Sequence, residues 1–378
     1  MGGAVTEVSI DIATRFLGVQ EDIYIIRPGE AFSLYDAFEK RSSVFLDFPD
    51  LRIPLGGPKP NRTALREAVV RSAELQKWYT RGQQGPEPSR NPLDYQNAAN
   101  GRRIGRYVAA IERLYFELPP GTIVVVPGSG YFANNTLIGE LVGGAEETKG
   151  VGPLAKESYP ARRVNWIARR PKAYFSQDLR ERLQKPLLMM AADRSLRSEI
   201  LKAAYGQYVV GNQYSSRLRT TEADFSTLDD FDIQTVVNCV CGLLAAVDEG
   251  KDLKNVSLYD AIELLYERRD LIPELAANIN SPGDLRLFSE TLAPLVVGLI
   301  IAVALASPVG AKPTDIRVTN SRIAGNDPCA LVVQEKAKKV VEMMDLDAWQ
   351  KICTRTHEVH KKTGLTSSIM VKRDGAKP

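Results

Sequence analysis

Apolar positions along the chain follow two patterns. Up to about Asp193 they come in short runs broken by Pro and Gly, and beyond it in longer stretches with few breaks. Ile23–Arg27, closed by Pro28 and Gly29, predicts a strand and a turn. Phe32, Leu34, Tyr35 and Phe38 predict a short helix, and Ser43–Phe48 a second strand. A loop is expected from Pro49 to Asn61. Thr63 then reads as the N-cap of a helix carrying Leu65, Val69, Ala73 and Leu75. Thr80–Asn100 is polar and holds three prolines, which predicts a long loop. From Arg102 to Leu118, residues Ile104, Tyr107, Val108, Ile111, Leu114 and Tyr115 share one helical face. Thr122–Val126 and Thr136–Val142 predict strands, with Gly139 at a bulge or close backbone approach and a loop over Gly143–Gly152. Arg162–Ala168 predicts another strand, Ser176 caps a short helix, and Leu187–Ala191 predicts the last strand. The sum is a small α+β barrel-like domain.

The second half predicts helices over Val236–Val247, Leu258–Tyr266 and Leu285–Ala306, with strands only near Ile316–Ile323 and Ser368–Lys372. A boundary near Asp193–Arg197 divides the chain into a β-rich domain at 1–193 and a mainly helical oligomerisation or effector domain at 194–378. Leu295–Ala306 is wholly apolar but bracketed by Pro294 and Pro308, and it falls short of the roughly 20 residues a membrane span needs. It predicts a buried central helix, so no membrane partner is expected. A membrane-acting effector is the alternative.

Composition narrows the class. The 378 residues are 44% hydrophobic and 25% charged, a globular balance that excludes a wholly disordered chain and suggests two domains. Four cysteines in this length are no disulfide framework and predict a reducing, cytoplasmic setting. The first twenty residues lack the basic and apolar regions of a secretory signal. Net charge is only +3, but Ala99–Ile200 holds about 16 Lys and Arg against about 10 Asp and Glu. A local basic excess beside a slightly acidic remainder is expected where one domain touches phosphates.

Three segments carry a resemblance. They are Ile23–Phe48 (IYIIRPGEAFSLYDAFEKRSSVFLDF), Ile111–Gly143 (IERLYFELPPGTIVVVPGSGYFANNTLIGELVG), and Tyr159–Ile167 followed by Phe175–Met190. In order and spacing they resemble the PUA/EVE-like N-terminal domain of Mrr-type restriction endonucleases and related bacterial defence proteins. The inserted Thr80–Asn100 segment and Gly121-Thr122, where that family has Gly-Asp, depart from the pattern. The resemblance implies a PUA/EVE-like β-barrel with flanking helices that binds DNA, including DNA with a modified base flipped into a pocket. It implies a role in an anti-phage defence or restriction system, with a homo-oligomer or a defence-complex subunit as partner. Flipping costs a few kcal/mol of stacking, to be offset by an aromatic wall and hydrogen bonds to the base edge. Matched onto this chain, the candidates are Trp166, then Ser129, Tyr131, Phe132, Asn134 and Asn135 in the loop after Thr122–Val126. Arg162 and Arg163, with Arg169 and Arg170, are candidates for phosphates.

Catalytic chemistry is thinly represented. A nuclease of the type usual in Mrr proteins needs an acidic residue and a Glu/Asp-x-Lys on neighbouring strands to hold a divalent ion. Asp252-Leu253-Lys254 has the letters but lies in a polar turn, and Glu335-Lys336 sits on a helix, so no catalytic residue is assigned. Cys353, His357 and His360 share a helical face and are the only candidate metal ligands, but their spacing is not HExxH. Surface placement is the simpler reading, and no cofactor is expected. The alternative to a nucleic-acid reader is an enzyme or toxic effector with its active region in the C-terminal half.

Overall fold

A computed structural model describes residues 7–98, 101–130, 135–151, 156–222, 225–278, 283–307, 312–323 and 327–372. The chain forms two units. Gln20–Ala204 makes an inserted unit, and Met1–Val19 with Tyr205–Pro378 makes a host unit. The boundary expected at Asp193 therefore moves to Ala204, and the first nineteen residues belong with the C-terminal half. Strands β1 (Glu7–Asp11) and β2 (Arg15–Leu17) account for this, because both pair only with host strands.

The inserted unit runs β3 (Tyr24–Ile26), α1 (Tyr35–Arg41), β4 (Ser43–Val44), α2 (Arg62–Thr80), α3 (Arg102–Glu112), β5 (Ile123–Pro127), β6 (Asn135–Lys149), β7 (Ser158–Pro171), α4 (Gln177–Gln184), β8 (Met189–Ala191) and α5 (Arg194–Ala204). Its six strands form one sheet in the order β4-β7-β6-β5-β3-β8. The sheet is open, where a barrel was expected. Its edges are the two residues of β4 and the three of β8, and Phe45–Phe48 leaves the ladder instead of extending it. The Leu46 N–H bonds the Tyr115 hydroxyl at 3.0 Å, and that hydroxyl donates to the Pro160 carbonyl at 2.8 Å. The segment's backbone is thus satisfied by a side chain, not by a neighbouring strand.

Strand β6 runs on through Gly143–Lys149, where a loop was expected, and pairs with β7 across two register shifts. One lies at Gly139, where a Cβ would overlap the Val164 side chain and the Trp166 ring. Phe38, Phe45, Ile111, Leu114, Val124 and Tyr159 are buried in this unit's core.

The host unit resumes with β9 (Gln207–Val210), β10 (Gln213–Thr220), α6 (Thr227–Asp248), α7 (Leu258–Glu263), β11 (Glu274–Asn278), β12 (Gly283–Ser289), α8 (Ala293–Ala306), β13 (Asp315–Thr319), α9 (Pro328–Met343), α10 (Leu346–Thr363), β14 (Thr366–Ser367) and β15 (Met370–Lys372). It carries two sheets, β11-β12-β10-β9-β2 with β14 on β10, and β13-β1-β15. A mainly helical description is therefore too simple, and Leu285–Ser289 is strand, not the start of a helix. Helix α8 is buried from Ala293 through Ala304, as its uniform apolar sequence requires. Among the described residues α6 is long and apolar enough to cross a membrane, by length and composition only, and 61% of that stretch is buried inside the fold. The chain as a whole is mixed α and β.

Candidate functional site

Two clefts of similar size open in the inserted unit. One, of about 660 Å³, is lined almost entirely by charged and polar side chains, among them Asp50, Arg90 and Glu157. These bond one another, so its charges are already compensated: Arg90 holds Glu157 and Asp50, and Tyr79 donates to Glu157 at 2.6 Å. The other, of about 650 Å³, combines apolar walls, a half-buried carboxyl and a cationic rim. Apolar walls with a few convergent polar groups are what a small-molecule or base pocket needs.

The second cleft is built from four pieces of chain. The turn Arg27–Glu30 follows β3 and depends on Gly29 at φ 73, where a Cβ would press on Ser33 and Leu34. Ala31 and Phe32 follow at φ 48 and 63, so two non-glycine residues occupy the left-handed region. Arg27 anchors the turn: its N–H donates to Leu188 O at 2.9 Å, and its guanidinium donates to Gln184 and Lys185 carbonyls and lies 4.6 Å from the Phe32 ring centre. The second piece is Asp47 with Phe48, held off the sheet by the Tyr115 contact. The third is the face of α2 carrying Val70, Ala73, Gln76 and Lys77. The fourth is α3, which offers Arg103, Ile104 and Tyr107.

Asp47 is the chemical centre. Burial raises its carboxyl to about 6, and nearby Glu30 pushes the same way, while hydrogen bonds from the Glu30 N–H and the Gln76 side chain act against them. Beside it Phe48 and Tyr107 meet edge to face at 5.3 Å, and the Arg103 guanidinium lies 5.4 Å from the Tyr107 ring centre. Arg81 and Lys77 complete the rim, and Arg102, Arg103 and Arg106 stand exposed on α3. Phe48 is 3% exposed and belongs to the core, so half-buried Tyr107 is the aromatic surface the cleft offers a flat ring, with the Asp47 carboxyl to accept N–H donors and the arginines to hold anions.

The residues chosen from the sequence fall elsewhere. Trp166 lies on β7 opposite Gly139 and packs half-buried against the core, with its indole N–H unpartnered among the described residues. Arg162 is a correction. Strand alternation turns it inward, where it is 2% exposed and donates to the carbonyls of Leu114, Leu118 and Gly143, so it is not placed to hold a phosphate. Arg163 points outward and pairs with Glu146 at 3.3 Å. Ser129 and Asn135 line a smaller cleft of about 390 Å³ with Phe32, Tyr35 and Arg169. Arg169 pairs with Glu39, and Arg170 donates to Ala203 O at 3.2 Å. Tyr131, Phe132 and Asn134 lie outside the described residues.

In the host unit Cys353 is buried, His357 donates to Ser307 O at 3.3 Å and His360 to Leu365 O at 2.6 Å. Among the described residues no three His, Cys, Asp or Glu side chains gather to hold a metal ion. Asp252–Lys254 lies in irregular chain, and Lys336 on α9 pairs with Asp248. The signal that marks Asp47 was present in the sequence as the one charge inside the apolar run SVFLDF. Comparison of the chain with protein-family models, with curated proteins and with solved structures finds no match.

Proposed function

We propose that the inserted unit is a nucleic-acid-binding module that takes one base into the cleft between the Arg27–Glu30 turn, Asp47–Phe48, α2 and α3. The observation that carries this reading is a half-buried carboxyl beside a Phe48–Tyr107 pair under an arginine rim. Charge distribution supports it. Residues 20–204 hold 28 Lys and Arg against 21 Asp and Glu, and the rest of the chain holds 21 against 25. The order of segments resembling PUA/EVE-like domains supports it further, with the open sheet standing where that family has a barrel. On this reading the chain is a DNA-binding, modified-base-sensing component of an anti-phage defence or restriction system, and the host unit serves self-association or a partner subunit.

The test is binding of the full chain to labelled single- and double-stranded DNA across a salt series. Affinity should fall steeply with salt, and Arg102, Arg103 and Arg106 changed together to Glu should flatten that slope. Tyr107→Ala should weaken binding by about five- to a hundredfold, the range for loss of one stacked base. Absence of binding, or binding indifferent to salt, overturns the reading.

A further inference from the structure

We infer that the cleft selects a base edge presenting two adjacent N–H donors, the edge of guanine, through the Asp47 carboxylate. This rests on the nucleic-acid reading of the same cleft. An ionised carboxylate accepts only, with about four lone-pair positions. The Glu30 N–H and the Gln76 side chain occupy part of that capacity, and the remainder belongs to a group that lines the cleft. Further acidic groups line the cleft. Glu30 is a second carboxylate acting on Asp47, and Glu74 a third on the same wall, where Lys77 pairs with it at 2.6 Å. The cations Arg81 and Arg103 line the cleft too, suited to phosphate oxygens at its mouth, while Arg27 stays committed to the Gln184 and Lys185 carbonyls.

Against such a floor the four bases differ in kind. Guanine offers N1–H and an N2 amino hydrogen side by side, matching two carboxylate oxygens. Adenine and cytosine set a ring-nitrogen lone pair beside one amino group, which places lone pair against lone pair. Uracil and thymine offer a single N–H between two carbonyls. On this inference a ring resting on Tyr107 turns its edge to Asp47 in the same cleft, so this difference is read directly. Protonation reverses the logic. A neutral Asp47 has one donor and one acceptor and fits the adenine or cytosine edge. Because burial and Glu30 raise its carboxyl to about 6, neutral pH favours guanine and mild acid erodes the preference.

The experiment uses the full chain and thymine oligonucleotides carrying one guanine, inosine, adenine or cytosine, alongside free guanosine monophosphate. At neutral pH the guanine strand should bind about ten- to a hundredfold tighter than the adenine and cytosine strands. Inosine, which lacks the 2-amino group, should give up about tenfold or more of that advantage. Asp47→Asn should abolish the guanine preference, and the analogue series on the unaltered protein decides the matter even if that variant misfolds. Salt-dependent binding with no base preference, or a preference for adenine or cytosine at neutral pH, overturns the inference and leaves the nucleic-acid reading standing. Guanosine monophosphate bound with oligonucleotides refused keeps the guanine edge and overturns the nucleic-acid reading. Binding of neither overturns both.

Discussion

Arg90 and Glu157 meet as a fork, Nη1 to Oε2 and Nη2 to Oε1, each at 2.9 Å. Arg90 belongs to the inserted segment after α2, and Glu157 immediately precedes β7. The same guanidinium reaches Asp50 at 3.2 Å, and its backbone carbonyl accepts from the buried Arg71 at 3.0 Å. This clasp fixes a polar segment that has little apolar surface of its own, and Ala98 at that segment's far end lines the candidate cleft.

Arg90→Ala should therefore release residues 81–98, read as new protease cleavage there and faster amide exchange. The stability loss should be about 1–2 kcal/mol, modest because Arg90 is partly exposed. Arg90 holds the Glu157 carboxyl below its ordinary range. That contribution is fully present above the ordinary glutamate value and is lost as pH falls through the depressed one. The difference between wild type and variant should shrink in acid denaturation curves.

Asp47 acts in the opposite direction. Its carboxyl is raised from 3.8 to about 6, so between those values the folded chain holds the proton more tightly than the unfolded chain. Stability then falls as pH rises through that window, by about 2–3 kcal/mol in all. Asp47→Asn should melt several degrees higher than wild type at pH 7, with the gap closing near pH 4. A variant that melts lower at pH 7 would count against a desolvated carboxyl.

Lys172 is wholly buried and donates to the carbonyls of Gly128 and Gly130, with the Phe32 ring centre 5.0 Å away. Lys172→Met should cost about 1–3 kcal/mol at neutral pH by leaving those carbonyls unsatisfied. Burial first, then Arg27, lowers the lysine from 10.5 to about 8. Between those values the folded chain binds fewer protons than the unfolded chain, so this lysine makes wild-type stability rise with pH. Thermal melts between pH 8 and 10 should show that rise in wild type relative to Lys172→Met.

Gly242 on α6 touches the backbone of α7 so closely that a Cβ would overlap the Ala261 carbonyl. Gly242→Ala should destabilise the host unit by about 2–4 kcal/mol despite its gain in helix propensity. Chemical denaturation of the full chain checks this, and a neutral result would mean that α7 is free to shift.

Elements whose cause is local were legible in the sequence. The face from Ile104 to Ile111 gave α3, Ser176 does cap α4 by accepting the Leu179 N–H, and the run at Ile123–Val126 is a buried strand. Elements decided by distant partners were not. The apolar run Phe45–Phe48 looks like a strand until the Tyr115 hydroxyl claims the Leu46 N–H. Residues 143–149 read as loop because they are polar, yet β7 supplies a ladder for them. Strand β1 carries no mark of partners at the opposite end of the chain. At the candidate cleft, Asp47 stands out in the sequence only as a charge inside an apolar run, and it is the fold that brings Gln76 to it and sets Tyr107 and Arg27 along the same cleft. Arg162 and Arg163 are adjacent in sequence and chemically alike, and only the pleat sends one inward.

Strand β1 lies between β13 and β15, so the middle strand of that sheet is translated before the inserted unit and both its flanks after it. On the ribosome the nascent β1 has no edge to join while everything up to β13 is being made, whereas residues 20–204 meet all their sheet partners within one continuous stretch. The inserted unit can thus complete its sheet while it is being made, whereas β1 of the host unit waits for β13 and β15 on the far side of that insertion.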